Sequence, residues 1–327
     1  SRCRLMADYI ELKGSTIQSL DSDPANPIAG QVWYNSTTQI LKGHGILGAG
    51  AWSSGGNLNT ARQQATAAGT QDAGIAVGGG TVNVEQYNGS AWTEVANLSV
   101  AQSRSAISAQ SPNANTLNFG GTPDSDKTES WDNSSWTEVA NLNSGRIGAG
   151  GFGVSNTSAG MAGGQLTTAT ELYNGSSWTE VNNLNAARRY LGGLGTVTAA
   201  LVVAGDTDNP SFPGGRNTAN VESWNGTSWT EIANVNTGRV YVGTAGIQTD
   251  AIVFGGSPGT PYQTITEAWN GTSWTEVADL ATGRRAWSSG AGSSSAAIAA
   301  GGEGPVGAIT TTEEWNLSLN TVSFDVS

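Results

Sequence analysis

The chain has 327 residues and a formal charge of −12, from 14 basic against 26 acidic residues. With only three lysines it lacks the clustered cations that nonspecific nucleic-acid binding requires, and no apolar run approaches the roughly 18 residues of a membrane span. The one cysteine, Cys3, excludes an internal disulfide framework, and 46 glycines would read as low complexity were ten of the twelve tryptophans not at fixed positions of a repeat.

In chain order, residues 1–30 are polar and broken by Asp21-Ser22-Asp23-Pro24-Ala25-Asn26-Pro27. They read as an N-terminal arm, an attachment segment that orders against neighbouring subunits. A charged stretch followed by an apolar core is absent from its start, so no secretory signal is expected, and Met6 is a candidate natural start. Residues 31–50, with Val32-Trp33-Tyr34-Asn35, read as a short β-hairpin linker. Residues 51–317 carry the repeat, and 318–327 form a C-terminal strand or tail.

The repeat has two landmarks. An aromatic stands five positions before a Trp in Tyr87/Trp92, Trp131/Trp136, Tyr173/Trp178, Trp224/Trp229 and Trp269/Trp274, with Trp52 and Trp315 as the split sixth pair. Upstream of each aromatic lies a pair of small residues: Gly78-Gly79, Gly120-Gly121, Gly163-Gly164, Ala204-Gly205, Gly255-Gly256 and Gly301-Gly302. A period of 40 to 50 residues with this punctuation means a propeller or an array. Short small-apolar runs without helical period predict four antiparallel strands, a to d, in each repeat. In the second repeat these are 104–110, 115–119, 128–131 and 136–139. Asn-Gly between c and d, replaced by Asp132-Asn133 in the second repeat, predicts a type I′ hairpin turn with two residues at positive φ.

Inner strands converge on an axis and need small side chains, which the Gly, Ala and Ser of 148–153, 192–195 and 288–295 supply. Outer strands face wider gaps and receive Trp52, Trp92, Trp136, Trp178, Trp229 and Trp274, the expected structural wedges. Trp52 is in phase with strand d and Trp315 with strand c. An N-terminal strand around Trp52 is therefore expected to complete the last sheet and remove an open edge, with the C-terminal residues 321–326 as the competing candidate.

A basic residue opening strand a, a Gly pair ending b, an aromatic on c and a Trp on d together resemble the kelch repeat. The resemblance runs from Trp52 to Trp315 and implies an all-β fold, a six-bladed kelch-like β-propeller, with the extended N-terminal arm outside it. The segment from Gly30 to Lys42 is similar to a short hairpin recurrent in bacteriophage tail-fibre and other virion proteins. Together with repeats such as Trp224-Asn225-Gly226-Thr227-Ser228-Trp229 it resembles a structural protein of a marine or aquatic phage. That resemblance implies a non-enzymatic virion component, on the particle or extracellular when released. It would contact other virion proteins through the arm, form a homo-oligomer within a symmetric assembly, and display the propeller to a host-surface glycan or protein. The alternatives are a free bacterial lectin-like adhesive protein and a propeller glycoside hydrolase or depolymerase.

Catalytic chemistry finds few candidates. His44 and Cys3 are unique and precede the repeats, so the copper chemistry of galactose oxidase, a kelch-type relative, is not expected, and neither a cofactor nor a metal is assigned. The pairs Asp21/Asp23, Asp124/Asp126 and Asp206/Asp208 are too sparse for a calcium loop and read as solvated turns. Arg62, Arg104, Arg146, Arg188, Arg239 and Arg284 each open a strand a. They predict an axial ring of structural guanidiniums bonded to carbonyls or to acids such as Glu85, Glu129, Glu171, Glu222, Glu267 and Glu313, with an axial anion as the functional alternative. Intervals between the small pair and the c aromatic differ by up to eleven residues while the c-to-d interval is constant. Diversity is thus confined to the b-to-c face, where Asp206, Asp208, Asn209, Phe212, Arg216 and Tyr262 are the candidate ligand-binding residues.

Overall fold

The computed structural model describes residues 17–25, 31–46, 50–207, 217–258, 262–287, 290–317 and 319–324. Every regular element among them is a β-strand or a turn. Two compact units form: residues 51–316, and the two terminal segments 1–50 and 317–327 together.

Residues 51–316 contain six four-stranded antiparallel sheets. The third illustrates the pattern: strands a to d are Gly150–Ser155, Ser158–Ala162, Thr170–Tyr173 and Trp178–Val181. The sixth runs Gly290–Gly292, Ala296–Ala300, Thr312–Asn316 and then Ala51–Ser54, with Trp315 paired to Trp52. The strand around Trp52 therefore supplies the missing outer strand, as its phase required. Leu319–Phe324 pairs instead with Ile40–Ile46.

Strands a of successive sheets touch in cyclic order, and the sixth touches the first. Glycine makes that approach feasible: a Cβ on Gly193 would lie 2.6 Å from the Gly151 carbonyl oxygen of the neighbouring inner strand. The outer strands are wedged by indoles. Trp178 packs on Phe119 of the preceding sheet at 5.0 Å, and Trp52 on Phe254 at 4.9 Å. Trp92, Trp178 and Trp229 are each 5% exposed, so nearly the whole indole leaves water. At about 25 cal/mol per Å² over roughly 150–250 Å², each contributes several kcal/mol before entropy is subtracted. This cyclic array of four-stranded antiparallel sheets is a β-propeller fold.

Three expectations are corrected. The c-to-d turn is not a two-residue type I′ turn: Tyr87 pairs with Trp92, so four residues loop between them, and only Gly89 has positive φ. The Asn88 side chain closes that loop by accepting the N–H groups of Ser90 and Ala91, a capped turn that Asp132 reproduces with Ser134 and Ser135. Strand a of the second sheet shrinks to Ala106–Ile107, because Ser108 Oγ, Ser111 Oγ and Thr116 Oγ1 form a buried chain through a widened a-to-b turn. Finally, the described part of residues 1–30, 17–25, contains a strand and is not only an extended arm. Gln18–Leu20 pairs in parallel with Val32–Asn35, and with Ile40–Ile46 and Leu319–Phe324 these make a seventh four-stranded sheet. Asp23 ties that sheet together by accepting from Trp33 Nε1, Asn35 Nδ2 and Lys42 Nζ.

Candidate functional site

The basic residues at the start of strand a divide into two classes. Arg62, Arg146, Arg188, Arg239 and Arg284 are at most 2% exposed and pair inside their own sheets with Glu85, Glu171, Glu222, Glu267 and Glu313. In the fourth sheet Arg188 Nη2 lies 2.7 Å from Glu222 Oε1, while Nη1 donates to the Ala204 and Asn220 carbonyls at 3.0 and 2.7 Å. The same glutamates receive the d-to-a connection that leads into their own sheet: Glu222 Oε2 accepts the Asn185 backbone N–H at 2.7 Å. These guanidiniums are struts joining strands a, b and c, with no face on the axis. Burial pulls Arg62, Arg146, Arg188 and Arg284 below the ordinary arginine value, and the paired carboxylate pulls each back.

Arg104 is not the sixth strut. The carbonyls of Arg62, Arg146, Arg188, Arg239 and Arg284 each accept from the second residue of a small pair, and the equivalent acceptor for Gly79 is Gln102. The widened a-to-b turn adds two residues to the second repeat, so counting back from Gly120 lands on the wrong side chain. A better ruler existed. Leu58, Leu98, Leu142, Leu184, Val235 and Leu280 are all buried and stand four residues before Arg62, Gln102, Arg146, Arg188, Arg239 and Arg284.

Arg104 belongs to a second ring, two or three positions further along, made with Gln64, Gly148, Tyr190, Tyr241 and Trp287. All six have φ between 54° and 64°. Their backbones form a belt across the sheets. Arg104 N–H donates to Gln64, Gly148 to Arg104, Tyr190 to Gly148, Tyr241 to Tyr190 and Trp287 to Tyr241. The left-handed conformation turns the side chains toward one another over the axis. Tyr241 stacks on Trp287 at 3.9 Å and on Tyr190 at 4.7 Å, and Arg104 lies over the Trp287 ring at 5.6 Å. The contacts of Trp287 with Tyr190 and Arg104 join the sixth repeat to the fourth and the second, which are not its neighbours, and so cross the centre.

A second tier surrounds this cluster. Arg189 stacks on Tyr190 and pairs with Asp206; Arg285 stacks on Tyr241 and Tyr262 and pairs with Glu303. Tyr262 donates to Glu303 at 3.1 Å. Two of the expected ligand-binding residues, Asp206 and Tyr262, thus come to the rim of the mouth, Asp206 mostly buried. Asp208, Asn209, Phe212 and Arg216 lie outside the described residues. Arg104, half-buried, donates through Nε to Gln64 Oε1 and forms no ion pair with an acid among the described residues. Burial raises the Tyr241 phenol above its ordinary value, which keeps it a neutral hydrogen-bond donor. The mouth therefore gathers stacked aromatic rings, phenol groups and, among the described residues, one guanidinium without a carboxylate partner around about 10 Å³ of free space, with two further guanidiniums already neutralised. Tyr190, Tyr241 and Trp287 carry no repeat signal in the sequence, because the six belt positions hold five residue types, Gln, Arg, Gly, Tyr and Trp.

At the opposite, a-to-b end a larger cavity of about 320 Å³ is lined by Thr70, Gln71, Asp72, Gln110, Ser111 and Ser293 among others. Gln71 Nε2 is already committed there to the Ala297 and Trp315 carbonyls, and the only charge is on Asp72. Groups of three or more His, Cys, Asp or Glu residues able to hold a metal are absent among the described residues.

No protein-family pattern matches the chain. No curated protein matches it either. Among solved structures it is similar to the structure of YjhT, at a TM-score of 0.66 and 14% identity, with 82% of this chain and 99% of that one covered. An identity that low speaks for the β-propeller fold alone.

Proposed function

We propose that this protein is a non-enzymatic component of a bacteriophage virion whose propeller, six-bladed and kelch-like, binds a host-surface glycan at its axial mouth. The convergence of Arg104, Tyr190, Tyr241 and Trp287 from four separate repeats carries this reading. Aromatic faces receive the C–H faces of sugar rings, and a guanidinium and phenols supply directional donors to their oxygens. The variable b-to-c loops, with Asp206 and Tyr262 described on them, border the same mouth. Kelch-like repetition is supported by the Arg–Glu struts and the indole wedges recurring in frame. Six sheets in cyclic contact support the blade count, and the seventh is read as the separate terminal unit.

The terminal unit would serve attachment, with the copy number set by a symmetric assembly. Deleting residues 1–30 is expected to block incorporation into particles while leaving a folded propeller.

Binding is tested on a glycan array with the full chain, against Arg104→Ala and Tyr241→Ala. Each variant should weaken the captured glycan by about tenfold or more, as loss of a charge-assisted bond or an aromatic platform implies. Unchanged binding in both would sink the assignment of the mouth. A hydrolase would instead release reducing ends. Asp206 and Glu303, the acids at the rim, are each held by an arginine, which speaks for scaffold roles.

A further inference from the structure

The strut that the second sheet lacks leaves buried polar atoms without partners. Gln102 is 1% exposed and stands where five other sheets have an arginine, yet neither its Oε1 nor its Nε2 has a hydrogen-bond partner. Glu129, also 1% exposed, aligns with Glu85, Glu171, Glu222, Glu267 and Glu313; its Oε1 accepts the Ser99 N–H at 3.0 Å, and its Oε2 has no partner. A buried carboxylate oxygen without a hydrogen-bond donor is costly, and it recurs nowhere else in the frame. The nearby lysine does not relieve it by hydrogen bonding: Lys127 Nζ is committed to Glu138 at 3.0 Å.

The other sheets show what this position is built to receive. Arg284 Nη1 donates to the carbonyls of Gly301 and Thr311, at 2.9 and 2.8 Å, while Nη2 bonds Glu313. The equivalent carbonyls in the second sheet are those of Gly120 and Lys127, identified because Gly120 N–H donates to Lys127 as Gly301 N–H does to Thr311. Gln102 is shorter than arginine by the guanidinium end and cannot deliver to these oxygens the donors that Arg284 delivers in the sixth sheet. A water can donate to only two of them and brings no charge. A hard monovalent cation satisfies several at once and neutralises the single carboxylate, whereas a divalent ion would want more acids.

We propose that the second sheet contains a buried monovalent-cation site, formed by Glu129 Oε2, Gln102 Oε1 and the Gly120 and Lys127 carbonyls, in the volume a guanidinium fills in the other five sheets. The site is independent of the axial mouth.

Thermal unfolding of the full chain in chloride salts at one ionic strength tests this. Potassium or ammonium should raise Tm above its value in tetramethylammonium by about 3 °C or more at a hundredfold excess over Kd, and saturably. In Gln102→Arg, whose side chain occupies the volume, and in Glu129→Gln, which removes the charge, the cation-specific rise should disappear. An equal rise in wild type and in either variant, or no difference between potassium and tetramethylammonium, overturns the site. Crystals soaked in thallium(I), a potassium surrogate, give a second reading that needs no variant. An anomalous peak beside Glu129 is expected, and its absence at saturating thallium refutes the proposal.

Discussion

Single side chains decide how well each sheet is locked to its neighbour. Four of the six d-strand indoles donate across the gap to a hydroxyl at the start of strand c in the preceding sheet, Trp92 to Thr312, Trp178 to Thr128, Trp229 to Thr170 and Trp52 to Thr266, while Trp274, facing Val221, donates to the Ala233 carbonyl. Trp136 faces the first sheet, whose strand c begins with Val84, and its Nε1 has no partner. Val84→Thr should therefore stabilise by about 1 kcal/mol through the restored bond, read as a higher urea midpoint. A lower midpoint would mean that the hydroxyl cannot reach the indole. Trp178→Ala should cost about 3–5 kcal/mol by leaving a cavity against Phe119, and an unchanged midpoint would contradict its wedge role. Glu171→Ala strands the buried Arg146 guanidinium and should cost a similar 3–5 kcal/mol.

At the scale of elements, the terminal sheet depends on one acid. Lys42, Asn35 and Trp33 hydrogen bonds hold the Asp23 carboxyl down to about 2 from an ordinary 3.8. A depressed folded value means that the stabilisation is complete above the unfolded value and is lost as pH falls through the folded one. This sheet should thus loosen between about pH 4 and pH 2. Trp33 is fully buried and donates to Asp23, so its fluorescence is expected to report the change, and Asp23→Asn should remove the pH response in that window. The c-to-d turns were legible as turns but not as the right kind. Asn88 and Asp132 act through side-chain oxygens that accept two backbone N–H groups, a role that the Asn-Gly dipeptide does not distinguish from a two-residue hairpin.

For the whole molecule, closure rests on four residues. Ala51–Ser54 brings Trp52 against Trp315 and Phe254, and a chain starting at residue 50 retains that strand while one starting at residue 56 does not. The shorter chain should expose the edge of Thr312–Asn316 and aggregate, and the longer should keep the β-sheet circular dichroism of the propeller. A shorter chain that stays monomeric and equally stable would show that closure is not required.

The repeat, the strand order, the phase of Trp52 and Trp315 and the split of the last sheet were all readable from residues, because short-range hydrogen bonding and burial repeat with the chain. Five of six struts were readable for the same reason. The sixth was misplaced by two residues, since a longer turn between Ile107 and Leu117 shifted the count that Leu98 would have preserved. Folding alone decided that Gln64, Arg104, Gly148, Tyr190, Tyr241 and Trp287 meet. They follow no residue pattern along the chain and share a left-handed backbone, and side chains far apart in the chain become neighbours only when the ring closes around an axis.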